Sequence, residues 1–155
     1  MKLTRAAICL QLIFLCTAMT LAHPQQGRFS VAGLDSDREV EGFFLSFREA
    51  IAKGDEKTVA SMVSYPIRVT LVSGQRKKIR SVAGFIAAYH RIFDDEFRRV
   101  IAKTTVKDLW ANSSGVAMPS GEIWFNGIVK NMSRPERYTL RITAINGPIR
   151  PGVRR

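Results

Sequence analysis

Four ionisable side chains in this 155-residue chain have the type and surroundings for proton transfer. Glu122 lies in the stretch Ser120-Gly121-Glu122-Ile123-Trp124-Phe125-Asn126-Gly127, where Glu122, Trp124 and Asn126 alternate with Ile123 and Phe125. A carboxyl group held against an indole loses solvation, and its raised pKa suits a general acid. The same spacing fits a strand-end glutamate paired with one of the many arginines. His90 and Asp94 stand four residues apart, the spacing at which helical side chains meet. Asp94 would then orient His90 as a base near neutral pH, or the two form a surface pair and Asp94 caps the next helical stretch. Asp108 alternates with Val106 and Trp110. On an inward strand face it is a desolvated base; on an outward face it is an ordinary carboxylate. Tyr65 and Tyr89 can donate to a carbonyl oxygen in a pocket, or serve as core residues with satisfied hydroxyls.

Metal chemistry has little to build on. His23 and His90 are the two histidines of the chain. A free amine at His23 would make a copper chelate if His90 approached, but a third ligand is lacking, so neither a metal site nor a cofactor is expected.

The N-terminus bears on every other count. Lys2 and Arg5 precede an apolar run from Ala6 to Ala22 that closes on Thr20-Leu21-Ala22, with small residues where signal peptidase reads. Residues 1–22 are expected to be a secretory signal peptide cleaved before His23; the run is short for a span and Gln11 interrupts it. Cys9 and Cys16 both fall in this leader, so the exported chain would hold itself together without disulfides. The expected location is extracytoplasmic, periplasmic or secreted. The formal net charge is +11, and removing the leader takes away just Lys2 and Arg5. Basic residues cluster at Arg76, Lys77, Lys78 and Arg80, and again at Arg150, Arg154 and Arg155. Aromatic residues do not interleave with them, which argues against nucleic acid and for an anionic envelope surface or a solvated basic exterior. Asn112 and Asn131 begin Asn-X-Ser sequons.

Positioning elements follow from periodicity. Residues 23–35 are aperiodic and read as a mobile arm. Ser36 and Glu39 have capping-box spacing, and Val40, Phe43, Phe44, Phe47, Ala50 and Ile51 form one helical face ended by Gly54. Asp55 caps a shorter helix that Pro66 forbids from continuing. Ile67–Leu71 alternates as a strand, and a basic strand follows around Lys77–Ile79. Ser81 caps a third helix with Val82, Phe85, Ile86, Tyr89 and Phe93 inward, and a further helical stretch is expected at Phe97–Ile101. Three strands complete the domain: one through Asp108 and Trp110, a long one over 115–126 with a bulge or an unpaired edge at Pro119, and one over 137–145. The domain is placed at 36–146, with a basic tail at 147–155.

This order is α+β, helices first and a mostly antiparallel sheet after. The segments "FFLSFREAIAKGDEKTVASMVSYPIRV" and "SVAGFIAAYHRIF", followed by a Trp-bearing meander, resemble the nuclear-transport-factor-2-like superfamily and its SnoaL-like branch across Arg38 to Ile145. The resemblance implies a curved, mostly antiparallel sheet wrapped on about three helices, a cone-shaped, cystatin-like α+β roll with an apolar pocket at its open end. On that expectation Tyr65, Phe85, Tyr89, Trp110 and Trp124 converge on one cavity between the third helix and the sheet. Members of the superfamily include isomerases, dehydratases and hydrolases as well as proteins that only bind, so the fold does not decide activity. The function expected is an exported, non-catalytic module that binds a small apolar molecule or a protein partner. The alternative is a small acid–base enzyme acting on an apolar carbonyl-type substrate through His90, Asp94, Asp108 or Glu122. Both faces around Trp124 carry large side chains, so one is expected under the helices and the other against a partner, including a second copy paired through the sheet, or against the bent sheet itself.

Overall fold

The computed structural model describes residues 27–129, 133 and 138–148. The leader, His23, Asn131 and the tail from residue 149 lie outside that range.

The fold is α+β: among the described residues, five helices and an open six-stranded sheet of order β2-β1-β6-β5-β4-β3. Helix α1 (Asp37–Lys53) begins where Ser36 Oγ accepts from the Glu39 amide at 3.2 Å. It ends at Gly54, whose φ of 66° lets its amide reach the Ala50 and Ile51 carbonyls. Asp55 caps α2 (Glu56–Ser61), accepting from the Thr58 amide at 3.0 Å and the Thr58 hydroxyl at 2.6 Å. Strand β1 (Val63–Thr70) starts earlier than Ile67 and contains Pro66. Its pairing with β6 shifts register between Val63 and Arg68, across the residue that has no amide to donate. Strand β2 (Arg76–Ile79) returns antiparallel.

The single helix expected from Ser81 to Phe93 is two. α3 (Val82–Ile86) and α4 (Tyr89–Ile92) meet where the chain tightens at Ala88, whose amide reaches back only to Phe85 O at 3.0 Å. The Arg91 carbonyl is taken by the Val72 amide of the β1–β2 turn at 2.6 Å. Asp94 then caps α5 (Asp95–Lys103) through the Phe97 amide at 2.9 Å.

Two strand expectations change. Val106–Asp108 is a 3-10 turn, because Asp108 folds its carboxylate back onto the Thr105 amide and hydroxyl, both at 2.7 Å. Strand β3 therefore begins at Trp110 (Trp110–Asn112). The long strand over 115–126 is a hairpin of β4 (Gly115–Ala117) and β5 (Ile123–Val129). Its tip is Pro119-Ser120, closed by Gly121 N donating to Met118 O at 2.8 Å, with Gly121 at φ 73°. β6 (Tyr138–Ile145) pairs antiparallel with β5 and parallel with β1. Four strands thus follow the helices, not three.

One sheet face is buried. Ile67, Val69, Ile79, Val116, Ile123, Phe125 and Ile142 pack beneath the helices, with Phe125 against Phe43 and Phe44 of α1 at 5.4 and 6.5 Å. The described part of the expected arm is docked to this core. Phe29 and Leu34 are fully buried, and Arg28 donates to the carbonyls of Val106 (3.0 Å), Lys107 (2.7 Å) and Leu109. The buried Phe29 side chain and these carbonyl bonds fix the stretch that composition alone leaves free.

Candidate functional site

The acid–base candidates do not converge. His90 sits on α4 with its side chain 77% exposed, and its Nε2 meets Glu56 Oε1 of α2 at 3.0 Å. The helix ends at Phe93, and Asp94 lies beyond it, where it caps α5. Asp108 is exposed in its 3-10 turn, where the Thr105 hydroxyl and then the Thr105 amide hold its carboxyl below the usual range. A base needs the opposite shift. Glu122 is buried, at 5% exposure, yet faces no arginine within ion-pair distance among the described residues. Its Oε2 accepts from the Ser120 amide at 2.9 Å, and its backbone carbonyl accepts from Asn146 N at 2.7 Å. Glu122 thereby ties the β4–β5 hairpin tip to the end of β6, the work of a turn-closing side chain.

The five residues expected around one cavity fall into two groups. Tyr65, Phe85, Tyr89 and Phe93 form a continuous ring cluster: Tyr65 meets Phe85 edge-on at 6.3 Å, Phe85 lies 6.3 Å from Phe93, and Tyr89 lies 5.1 Å from Phe93. Phe85 and Tyr89 have no accessible surface, so they cannot line a space that admits even water. They are core. Tyr65 donates its hydroxyl to Ala60 O at 2.9 Å, and burial pushes its pKa from 10.0 up to about 12. Tyr89 is also pushed up, chiefly by burial, and its hydroxyl makes no hydrogen bond among the described residues.

Trp110 and Trp124 form the second group, on the opposite side of the sheet from the helices. Trp124 alternates with the inward Ile123 and Phe125, and the indoles meet edge-on at 5.1 Å. Trp110 Nε1 donates to Met118 O and Pro119 O at 3.0 and 3.1 Å, which fixes its ring over the hairpin tip. Register carries the pair into a row crossing the whole sheet. Trp110 pairs with Ala117, Ala117 with Trp124, Trp124 with Ala144, Ala144 with Arg68, and Arg68 with Lys78. Paired residues share a face, so one side chain from each of six strands lines a track roughly 24 Å long. Indoles occupy one end and cations the other, with only the methyl of Ala144 between them. Ala117 has no exposure beneath the indoles, whereas Arg68, Lys78 and Trp110 are exposed.

The alternation of Ile67 to Leu71 already places Arg68 outward, but its alignment with Trp124 depends on a parallel pairing that no local pattern announces. A second feature had no local signal either: Arg48 of α1 and Arg98 and Arg99 of α5 meet around one surface cleft. No group of three or more His, Cys, Asp or Glu side chains able to hold a metal occurs among the described residues. No helix of the described residues is long and apolar enough to cross a membrane.

Comparison with family models, with curated proteins and with solved structures found no match to this chain.

Proposed function

We propose that this chain is an exported, non-catalytic interaction module that binds an acidic protein partner across the open face of its sheet. The observation that carries this reading is the six-residue row from Trp110 to Lys78: rigid indoles and exposed cations set along one accessible face of a packed domain. Indoles and arginines carry a disproportionate share of binding energy at protein interfaces, and basic surfaces steer acidic partners. The scattering of His90, Asp94, Asp108 and Glu122 favours this over acid–base catalysis, since each is engaged in a cap, a turn or a surface pair. The order of two helices, a hairpin, further helices and a long antiparallel meander supports placing it with nuclear-transport-factor-2-like proteins. The basic, apolar leader ending at Ala22 supports export, and N-terminal sequencing of the exported chain should then begin at His23. Trp110 and Trp124 are the two tryptophans of the chain, so intrinsic fluorescence reports the face directly. Titration with a glutamate-rich peptide should shift their emission, and the shift should weaken with salt. Unchanged emission at millimolar peptide would count against the proposal.

A further inference from the structure

An open sheet has two edges, and in this one they differ. β3 is three residues long, and the 3-10 turn Ser30–Ala32 lies against it. Arg28, at the start of that segment, holds the Leu109 carbonyl just before β3. β2 is the other edge, paired with β1 alone.

Hairpin register decides which backbone groups of β2 are spare. Leu71 N donates to Gln75 O at 2.9 Å, which makes these two a hydrogen-bonded pair. Antiparallel pairs alternate, so Val69–Lys77 and Ile67–Ile79 are hydrogen-bonded pairs, whereas Thr70–Arg76 and Arg68–Lys78 are not. The amides and carbonyls of Arg76 and Lys78 therefore point away from β1. Among the described residues, no backbone group of a turn, loop or cap takes them up.

The same stretch is cationic on both faces. Arg76 and Lys78 lie on the outward face with Arg68. Lys77 shares the inward face of Val69 yet is exposed at the rim, and Arg80 beyond the strand is exposed too. Among the described residues, no carboxylate lies within ion-pair distance of these side chains. An inward-pointing lysine on an edge strand guards against pairing with another copy. Two β2 strands meeting edge to edge would set like charges opposite one another, which destabilises a ladder. An acidic strand meets the reverse condition, so the charge that repels a second copy selects it.

We propose that β2 accepts an extended acidic segment as an added antiparallel strand, with carboxylates opposite Arg76 and Lys78. This rests on the acidic-partner reading above and adds the conformation in which the partner binds. Lys78 ends the row that starts at Trp110, so a segment on β2 continues the same surface. Main-chain bonds give strand addition its affinity, and alternate side chains give it specificity. Arg76 and Lys78, two residues apart, call for acidic residues at alternate positions of the partner.

The test is calorimetric titration of the exported chain with a capped peptide of alternating glutamate and threonine, with tryptophan emission followed in parallel. In this register the glutamate amides face β2 and the threonine amides face away. N-methylation of the glutamate amides should weaken binding at least tenfold, and of the threonine amides less than threefold. Lys78→Gln and Lys78→Pro remove the same charge, but only proline removes the outward amide, which the β1 ladder does not use. Lys78→Pro should bind at least fivefold more weakly than Lys78→Gln, with melting temperatures within a few degrees of each other. Equal binding by the two variants, no loss on glutamate methylation, or equal loss from both methylation patterns would overturn strand addition. If the glutamate-methylated peptide still shifts tryptophan emission as its parent does, the acidic-partner reading survives that loss. Binding that is sensitive to glutamate methylation but leaves emission unchanged supports the edge and counts against the row. A parent peptide that does not bind at millimolar concentration sinks both.

Discussion

Tyr89→Phe should make the protein more stable. The Tyr89 side chain has no accessible surface, and its hydroxyl finds no hydrogen-bond partner among the described residues. Leaving a buried hydroxyl unsatisfied costs about 1–3 kcal/mol relative to water. Phenylalanine keeps the ring in its contacts with Phe93 at 5.1 Å and His90 at 5.5 Å, and keeps the surface that Arg98 covers. Nothing is lost on the other side of the balance, so the gain should approach 1 kcal/mol, raising the melting temperature by roughly 3–5 °C for a domain of this size. Tyr65→Phe is the internal comparison: it removes the bond to Ala60 O and should cost about 1 kcal/mol. Differential scanning calorimetry of the three proteins under one buffer measures both shifts. A Tyr89→Phe protein less stable than wild type by 1 kcal/mol or more would refute the reasoning, because the hydroxyl would then have a partner it is not seen to have.

Asp55→Ala should destabilise by about 1–2 kcal/mol in chemical denaturation, since it strips the α2 cap of its bonds to the Thr58 amide and hydroxyl. Gly115→Ala should cost more, about 3 kcal/mol, because at φ 135° its new methyl would lie 2.7 Å from the Phe125 carbonyl oxygen. Burial raises the folded-state pKa of all three tyrosines, Tyr65, Tyr89 and Tyr138. The unfolded chain gives up these protons first, so stability present below pH 10 should fall as pH rises from about 10 toward 12; absorbance at alkaline pH, showing delayed phenolate formation followed by unfolding, checks the sign. His90→Ala should leave peptide affinity unchanged and melt within about 0.5 kcal/mol of wild type, because the His90 side chain that pairs with the half-buried Glu56 is itself exposed. Wild-type turnover of a panel of ketones and enones that collapses in this variant would restore the acid–base reading.

The helical half of the fold is legible in sequence because its signals are local. Ser36, Gly54, Asp55, Ser81 and Asp94 cap where spacing places them, and Phe44, Phe47, Phe85, Tyr89 and Phe93 are buried as the helical period requires. What local pattern hides is decided by partners far along the chain. The Arg91 carbonyl is claimed by Val72, Asp108 curls onto Thr105 instead of extending the strand, and the apolar run around Pro119 closes into a hairpin. Phe29 reads as part of an arm because its core partners lie in remote segments. Trp110 and Trp124 are expected beside Tyr65, Phe85 and Tyr89 in one cavity, and the structure sets them together but apart from those three. Their position outside the helix-packed core is not legible, because that depends on which way the residues after Gly121 face. The arginine cleft joins residue 48 to residues 98 and 99, a proximity that only packing of α1 on α5 creates.

The most direct test of the proposed interaction face is charge reversal at its cationic end. The double variant Arg68→Glu/Lys78→Glu alters two exposed side chains at one end of the row and leaves both indoles in place to report. Affinity for the glutamate-rich peptide, read from tryptophan emission at low salt, should fall at least tenfold in this variant. It should stay within twofold of wild type in Lys57→Glu, a single charge reversal at an exposed position of α2. Equal weakening by Lys57→Glu, or no weakening by the double variant, would contradict the claim that the tryptophan–arginine–lysine row is the binding surface.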